Sequence, residues 1–315
     1  MRPRAAEIAR FLDRAAWCGA RRVPIVGDAS TRRYERLFHP RHGRAVLVDS
    51  GAQAVEPWLF VRDRLAGSGI RVPAVLAADA DARLLLLEDL GDLHLDEAID
   101  GPERAHRLYA RAGALLRALA GVPAEGLPRL DAPALLAQLE LFLEQVAGDL
   151  PAAAKDEFRA LWAELLPSAC TGPVVFVHRD LHCRNLMVLA DDELAVIDFQ
   201  DAFAGPALYD LVSLVQDVRY DLEPAVARMV VEGFLASRPD LDRSQVAPAI
   251  AILGAQRALR ILGVFARLAG PGGKPFYRRF FPAVLERLAR NLAHPALASF
   301  ARWWQLARLE CKFSG

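Results

Sequence analysis

Asp180, Asn185 and Asp198 are the side chains in this sequence whose types, order and spacing could do chemistry. They stand in His178-Arg179-Asp180-Leu181-His182-Cys183-Arg184-Asn185 and, thirteen residues after Asn185, in Val196-Ile197-Asp198-Phe199-Gln200-Asp201. Moving a phosphoryl group from ATP to a hydroxyl needs three such groups. One carboxylate accepts the hydroxyl proton as the oxygen attacks, while an Asn and a second Asp hold the magnesium ions that bridge the phosphates. An Asp-x-x-x-x-Asn spacing alone is common in loops and specifies nothing.

The elements that must position these groups are legible around them. Val174-Val175-Phe176-Val177 is a short apolar, β-branched run that predicts a strand delivering His178 to a loop, and Leu186 to Leu189 predicts another. Asp191-Asp192-Glu193 is a polar turn before Leu194-Ala195-Val196-Ile197, so a hairpin is expected to bring Asn185 and Asp198 close enough to reach one metal. His178 and His182 form the one pair resembling metal-ligand spacing; no third ligand accompanies them, and the Asp/Asn frame explains the segment better than zinc does.

With 315 residues the chain is long enough for two lobes. Its 39 basic and 39 acidic residues cancel, so no nucleic-acid or membrane partner is indicated by bulk charge, and the substrate is expected in a pocket. Cys18, Cys170, Cys183 and Cys311 are scattered like the reduced thiols of a cytoplasmic protein. The charged first ten residues lack the apolar core of a signal peptide, and no uninterrupted apolar run reaches the roughly eighteen residues of a membrane span.

Apolar spacing predicts an opening helix over 4–18, strands within 23–38 and 44–48, a helix over 57–65 and strands at 74–77 and 84–87. Beyond the polar break Glu88-Asp89-Leu90-Gly91-Asp92 the pattern turns helical, over 102–120, 131–147, 153–166, 206–218, 222–237, 244–268, 276–292 and 296–309. The expected fold is α+β and bilobal, protein-kinase-like: a small antiparallel sheet N-lobe for the nucleotide at 1–88, a linker at 89–93 and a large, mainly helical catalytic and substrate lobe at 94–315.

Gly27, Asp28, Ala29, Ser30, Thr31, Arg32 and Arg33 lie between the first two strands, where small residues, hydroxyls and backbone amides suit phosphate oxygens. Glu88 and Leu90, in the linker, are placed by position to meet an adenine edge. The third strand, Arg44-Ala45-Val46-Leu47-Val48-Asp49, lacks the Lys that in kinases pairs the α- and β-phosphates. Arg32 or Arg33 is the candidate substitute, with Glu56 as a partner. After Asp198 a helix is expected by Pro206, which leaves no room for a peptide-docking activation loop and points to a small-molecule acceptor.

The stretch from His178 to Asp217, including Ile197-Asp198-Phe199-Gln200-Asp201 and Leu208-Tyr209-Asp210, resembles the aminoglycoside phosphotransferase superfamily. Gly27 to Tyr34, the Lys-free strand Val46 to Asp49, and Gln256 to Leu268 further resemble its branch of bacterial sugar kinases, which phosphorylate N-acetylmuramate and N-acetylglucosamine at the anomeric C1 hydroxyl in cell-wall recycling. That resemblance implies ATP and Mg²⁺ as cofactors, Asp180 as catalytic base, Asn185 and Asp198 as metal ligands, and Asp210 as a brace of the loop through backbone amides. It also implies an acceptor site around Asp180, Asp201, Arg179, Arg219 and Arg257, the arginines facing a lactyl carboxylate. A monomer with a small-molecule sugar partner is expected. The alternatives keep the fold with an aminoglycoside, choline or homoserine acceptor, although no acidic cluster awaits a polycation, or make the chain a non-catalytic nucleotide-binding module. Residues 303–315 match no part of the resemblance.

Overall fold

The computed structural model of the chain describes residues 4–25 and 32–313. Two compact units divide it: Met1–Leu93 with Leu186–Gln200, and His94–Asn185 with Asp201–Gly315. The 186–200 segment thus groups with the sheet, although the sequence reading runs it with the helices on either side.

In the first unit α1 (Arg4–Arg14) precedes five strands, β1 (Arg21–Ile25), β2 (Arg33–His39), β3 (Gly43–Asp49), β4 (Val75–Asp79) and β5 (Leu84–Glu88), with α2 (Glu56–Gly67) between β3 and β4. The strands form one antiparallel sheet in the order β1-β2-β3-β5-β4. Alternation along the strands decides its faces. Leu37, Ala45, Leu47, Leu84 and Leu86 point to one side, where they pack against Ile8, Phe11 and Leu12 of α1 and against Trp17. Arg36, Val46, Val48, Leu85 and Leu87 are in register on the other. A two-stranded hairpin, β7 (Leu186–Val188) with β8 (Leu194–Val196), completes the unit, and Phe199 just after it packs on Trp58 of α2 at 5.1 Å. Asp191 and Asp192 turn this hairpin with φ of 56° and 57°, the left-handed geometry that Asp tolerates better than most residues.

The second unit holds α3 (Pro102–Leu119), α4 (Ala132–Ala137), α5 (Glu140–Gln145), α6 (Ala152–Ala169), α7 (Tyr209–Val215), α8 (Pro224–Ala236), α9 (Arg243–Leu268), α10 (Phe281–Leu292) and α11 (Ala298–Ala307). Proline opens α3 and α8 at positions where its missing N–H costs nothing, and Asp131 and Asp242 cap α4 and α9 by accepting from the Ala134 and Ser244 amides. The axis of the unit is α9, buried along most of its length. A side chain at Gly263 would meet the Phe142 amide at 2.8 Å, so only glycine lets α5 lie this close. By length and composition α9 is apolar enough to cross a membrane, but its apolar surface is spent on the core of this unit.

Two expectations change. The 131–147 helix is two, α4 and α5, broken around Gln138 and Leu139. Pro206 does not open a helix; it ends β9 (Phe203–Pro206), a strand antiparallel to β6 (Val174–Val177), and α7 begins at Tyr209. A four-residue strand containing Gly and Pro carries too little alternation to be read from sequence. The C-terminal segment closes the helical core. Trp303 and Phe300 of α11 pack on Phe158 and Trp162 of α6, and the Trp303 indole N–H donates to the Ala154 carbonyl at 3.1 Å.

Candidate active site

The loop 178–185 leaves β6 and is tied down by side chains from outside it. Asp210, in the first turn of α7, accepts from the backbone N–H groups of His178 at 2.6 Å and Arg179 at 2.9 Å, the bracing role anticipated for it. Asp217, just past α7, accepts from the Cys183 and Arg219 amides. Within the loop the Asn185 side-chain amide donates to the Asp180 carbonyl at 2.8 Å. These bonds hold Arg179 at φ 78°, a left-handed conformation that a non-glycine residue keeps only when its surroundings over-determine it.

The Asp180 carboxylate meets three guanidinium groups. Arg260 of α9 forks onto it, Nη1 at 3.1 Å from Oδ1 and Nη2 at 3.2 Å from Oδ2. Arg257, one turn earlier, donates to the Arg179 carbonyl at 2.9 Å and lies 3.5 Å from Asp180 Oδ1. Arg179 Nε is 3.9 Å from Oδ2. Burial alone would raise the Asp180 carboxyl, but Arg260, Arg257 and Arg179 outweigh it and hold the group well below the usual carboxylate range. It is therefore an anion, with 29% of its side chain exposed. His182, buried beside it, is pushed down to about 3 by burial and then by Arg219 and Arg257, and is neutral. Burial lifts Asp210 to about 6 against the pull of His178 and its amide donors.

Asp198 belongs to the sheet unit. It is exposed, sits at φ 62°, and accepts from the Gln200 side chain at 2.8 Å through one oxygen. The hairpin register pairs Leu186 with Val196, so the chain enters β7 one residue after Asn185 and leaves β8 two residues before Asp198. Taken each by itself, Asn185 donates its side-chain N–H₂ to the Asp180 carbonyl and keeps its amide oxygen as an acceptor, and Asp198 accepts from Gln200 through one of its two carboxylate oxygens; both are oxygen-donor types that a hard cation takes. Among the described residues no three His, Cys, Asp or Glu side chains gather as a metal cluster.

The other expected site residues divide. Gly27, Asp28, Ala29, Ser30 and Thr31 lie outside the described residues. Arg33 is exposed at the start of β2, opposite Asp49, whose carboxylate is taken by Arg4; Arg32 precedes it, and Glu56 is an exposed charge opening α2. The Glu88 amide donates to the Ala74 carbonyl and its carboxylate accepts from Arg71, so that residue has only its carbonyl to offer a base; Leu90 lies two residues on. Arg179 reaches toward Asp201, which is exposed, at 3.7 Å, and Arg219 stays beside Asp217. Arg257 is buried against the loop.

Sequence reasoning missed Arg260, Asp217, Arg36 and Asp89. Arg36, on the face of the sheet that carries Val46 and Val48, pairs with Asp89 at 2.8 Å and Asp92 at 2.8 Å and so ties β2 to the linker. Arg257 and Arg260 did carry a signal. They are the two charges, one turn apart, in the otherwise uncharged run from Ala249 to Ala266, and buried charge on one helix face requires a partner.

The chain is similar to known phosphotransferases along most of its length. Residues 21–249 match the model of the phosphotransferase enzyme family. The N-acetylmuramate/N-acetylglucosamine kinase of Caulobacter vibrioides is 31% identical, with 96% of each chain covered. A protein of the same name from Pseudomonas aeruginosa is 35% identical over 85% of this chain and 84% of its own. The chain belongs to the phosphotransferase enzyme family, as its His178 to Asp217 stretch suggested. Among solved structures, a choline/ethanolamine kinase family protein from Mesorhizobium loti superposes with a TM-score of 0.65 at 17% identity, covering 98% of this chain and all of that one. The GDP complex of aminoglycoside 2'-phosphotransferase-IIIa gives 0.65 at 16%, covering 93% and 99%. At these identities they speak for the fold alone, which is the kinase-like α+β fold expected.

Proposed function

We propose that this protein is an ATP-dependent kinase that phosphorylates the anomeric C1 hydroxyl of N-acetylmuramate and N-acetylglucosamine, releasing a sugar 1-phosphate for cell-wall recycling. The observation that carries this reading is the 31–35% identity, over most of the chain, to curated kinases bearing those two sugars in their names. The sheet unit takes the nucleotide, through residues 27–33 and the Glu88 to Leu90 backbone, and the helical unit takes the sugar. A monomer in the cytoplasm, where ATP is available, suits this chemistry.

Asp180 accepts the proton of the C1 hydroxyl as that oxygen attacks the γ-phosphorus. Its ionised state, secured by the neighbouring guanidiniums, leaves it ready to do so. Asn185 and Asp198 are the oxygen donors for Mg²⁺, which when bound neutralises charge on the phosphates. Most of the rate comes from positioning and charge stabilisation, since phosphoryl transfer asks little covalent chemistry of the protein. On the acceptor side Arg179 and Asp201 flank Asp180. Arg219 and Arg257 are the cations for the lactyl carboxylate that distinguishes the two sugars; the Arg257 Nε is a buried donor without a hydrogen-bond acceptor.

A coupled ADP-release assay with both sugars, their borohydride-reduced forms, kanamycin and choline tests the reading. Turnover of the two intact sugars, none of the reduced forms that lack an anomeric hydroxyl, and a 1-phosphate product are expected. Turnover of kanamycin or choline without either sugar would sink it. Arg219→Met should cost roughly tenfold in kcat/KM for N-acetylmuramate and little for N-acetylglucosamine, the size of one partly buried charge-assisted contact.

A further inference from the structure

The bonds around loop 178–185 hold its backbone and leave its reactive group to be set by something else. Asp210 and Asp217 fix backbone amides, the Asn185 amide fixes the Asp180 carbonyl, and Arg257 fixes the Arg179 carbonyl. Of these only Arg257 also reaches the Asp180 carboxylate, 3.5 Å from a single oxygen. The χ angles of that carboxylate must nonetheless be set for proton transfer. Arg260 makes the two-point contact. Two N–H groups of a planar guanidinium matched to two carboxylate oxygens fix the plane of the carboxylate as well as its distance, which a single bond cannot do.

The helix that supplies Arg260 can hold it rigidly. Arg260 is 9% exposed and Arg257 is 4% exposed, both on α9 at the centre of the unit. Taking a guanidinium out of water is costly unless it is ion-paired and hydrogen-bonded. Two carboxylates and one arginine already fix the backbone nearby. A second buried arginine aimed at the Asp180 side chain adds little to holding the loop, and much to holding that carboxylate.

We infer that Arg260 is the positioning residue for Asp180: α9 grips the loop backbone through Arg257 and aligns the reactive carboxylate through Arg260. Arg260 acts through Asp180 and makes no contact with the acceptor. The inference rests on Asp180 being the base in the proposed reaction. It adds that the rate, rather than acceptor binding, depends on a residue eighty positions away in sequence.

A double-mutant cycle tests this on the full chain. Wild type, Arg260→Lys, Asp180→Asn and the double variant are assayed on whichever acceptor of the panel the wild type phosphorylates, so a wrong sugar assignment changes the substrate and leaves the cycle readable. Lys keeps the charge but reaches the carboxylate at one point. Arg260→Lys should lower kcat on the order of 10²-fold, with acceptor KM within about twofold. In the Asp180→Asn background the same change should cost less than about threefold, because there is no longer a base to align. Arg260→Gln should fall at least as far as Arg260→Lys, and thermal melts of all variants identify any loss due to unfolding. A wild-type kcat in Arg260→Lys, a loss confined to KM, or losses that multiply fully in the double variant would each overturn the assignment.

Discussion

Three arginines of the sheet unit, unlike its more buried Arg36, sit in pairs at its margins: Arg22 with Glu35, Arg4 with Asp49 and Arg71 with Glu88, each side chain 31–33% exposed. In the helical unit Arg257 and Arg260 are 4% and 9% exposed and converge on one carboxylate. Marginal pairs are screened by water and hold little energy. Charge buried as deeply as the second kind is retained only where its partners are geometrically fixed, and here they are fixed around Asp180. Composition cannot distinguish the two, because both are Arg with Asp or Glu in a chain of zero net charge. Burial does.

The largest break in this contrast should come from Asp180→Asn. It keeps the shape, removes the proposed base, and should lower kcat roughly 10²- to 10⁴-fold with the melting transition retained. A binding module without catalysis would show no such loss, because wild type would have no turnover to lose. Asp210→Asn comes next. One of the two amides held by Asp210 would then face an N–H₂ instead of an acceptor, so about 1–3 kcal/mol of stability should go, measured by urea unfolding, and kcat with it. If stability falls while kcat holds, Asp210 supports the fold but not the loop.

A smaller effect sharpens the comparison through pH. His182 has a folded pKa of about 3 against an ordinary 6.5, with Arg219, Arg257, Asp217 and Asp180 around it. Below pH 6.5 the unfolded chain takes up a proton there that the folded one refuses, so this histidine removes stability as pH falls, by up to about 1.4 kcal/mol per pH unit. Asp210 acts in the opposite sense. With its folded value near 6 and an ordinary 3.8, it favours the folded state as pH falls between those values. Thermal melts between about pH 7 and 5 should therefore show His182→Asn losing less stability than wild type. A parallel decline of the two proteins would place the titration elsewhere. The smallest expected effect is at the margin of the sheet, where Arg22→Met should change stability by no more than about 1 kcal/mol. A larger loss would mean that the sheet's pairs are not the screened kind.

Much of the site was legible because local chemistry announces itself locally. Asp180, Asn185 and Asp198 carry their spacing in the chain, and the β7 and β8 hairpin between them follows from two short apolar runs around Asp191 and Asp192. The bracing role of Asp210 could be carried over from the resemblance, and the structure shows the two amides that fulfil it. Less was legible where the partner is far off in sequence. Strand β9 exists because β6 offers it an edge, which four residues ending in Gly205 and Pro206 do not reveal by themselves. Glu88, placed at the linker by position, turns out to commit its amide and carboxylate to Ala74 and Arg71.

The sequence by itself determined the phosphoryl-transfer frame, the sheet-then-helix order and the family. These depend on motifs and periodicities that neighbouring residues share, and short-range sterics and apolar spacing are enough to express them. Tertiary structure decided which charges do the holding. Asp180 and Arg260 become partners only when α9 is buried against the loop after β6, because an ion pair at 3.1 Å is a product of packing and not of spacing along the chain.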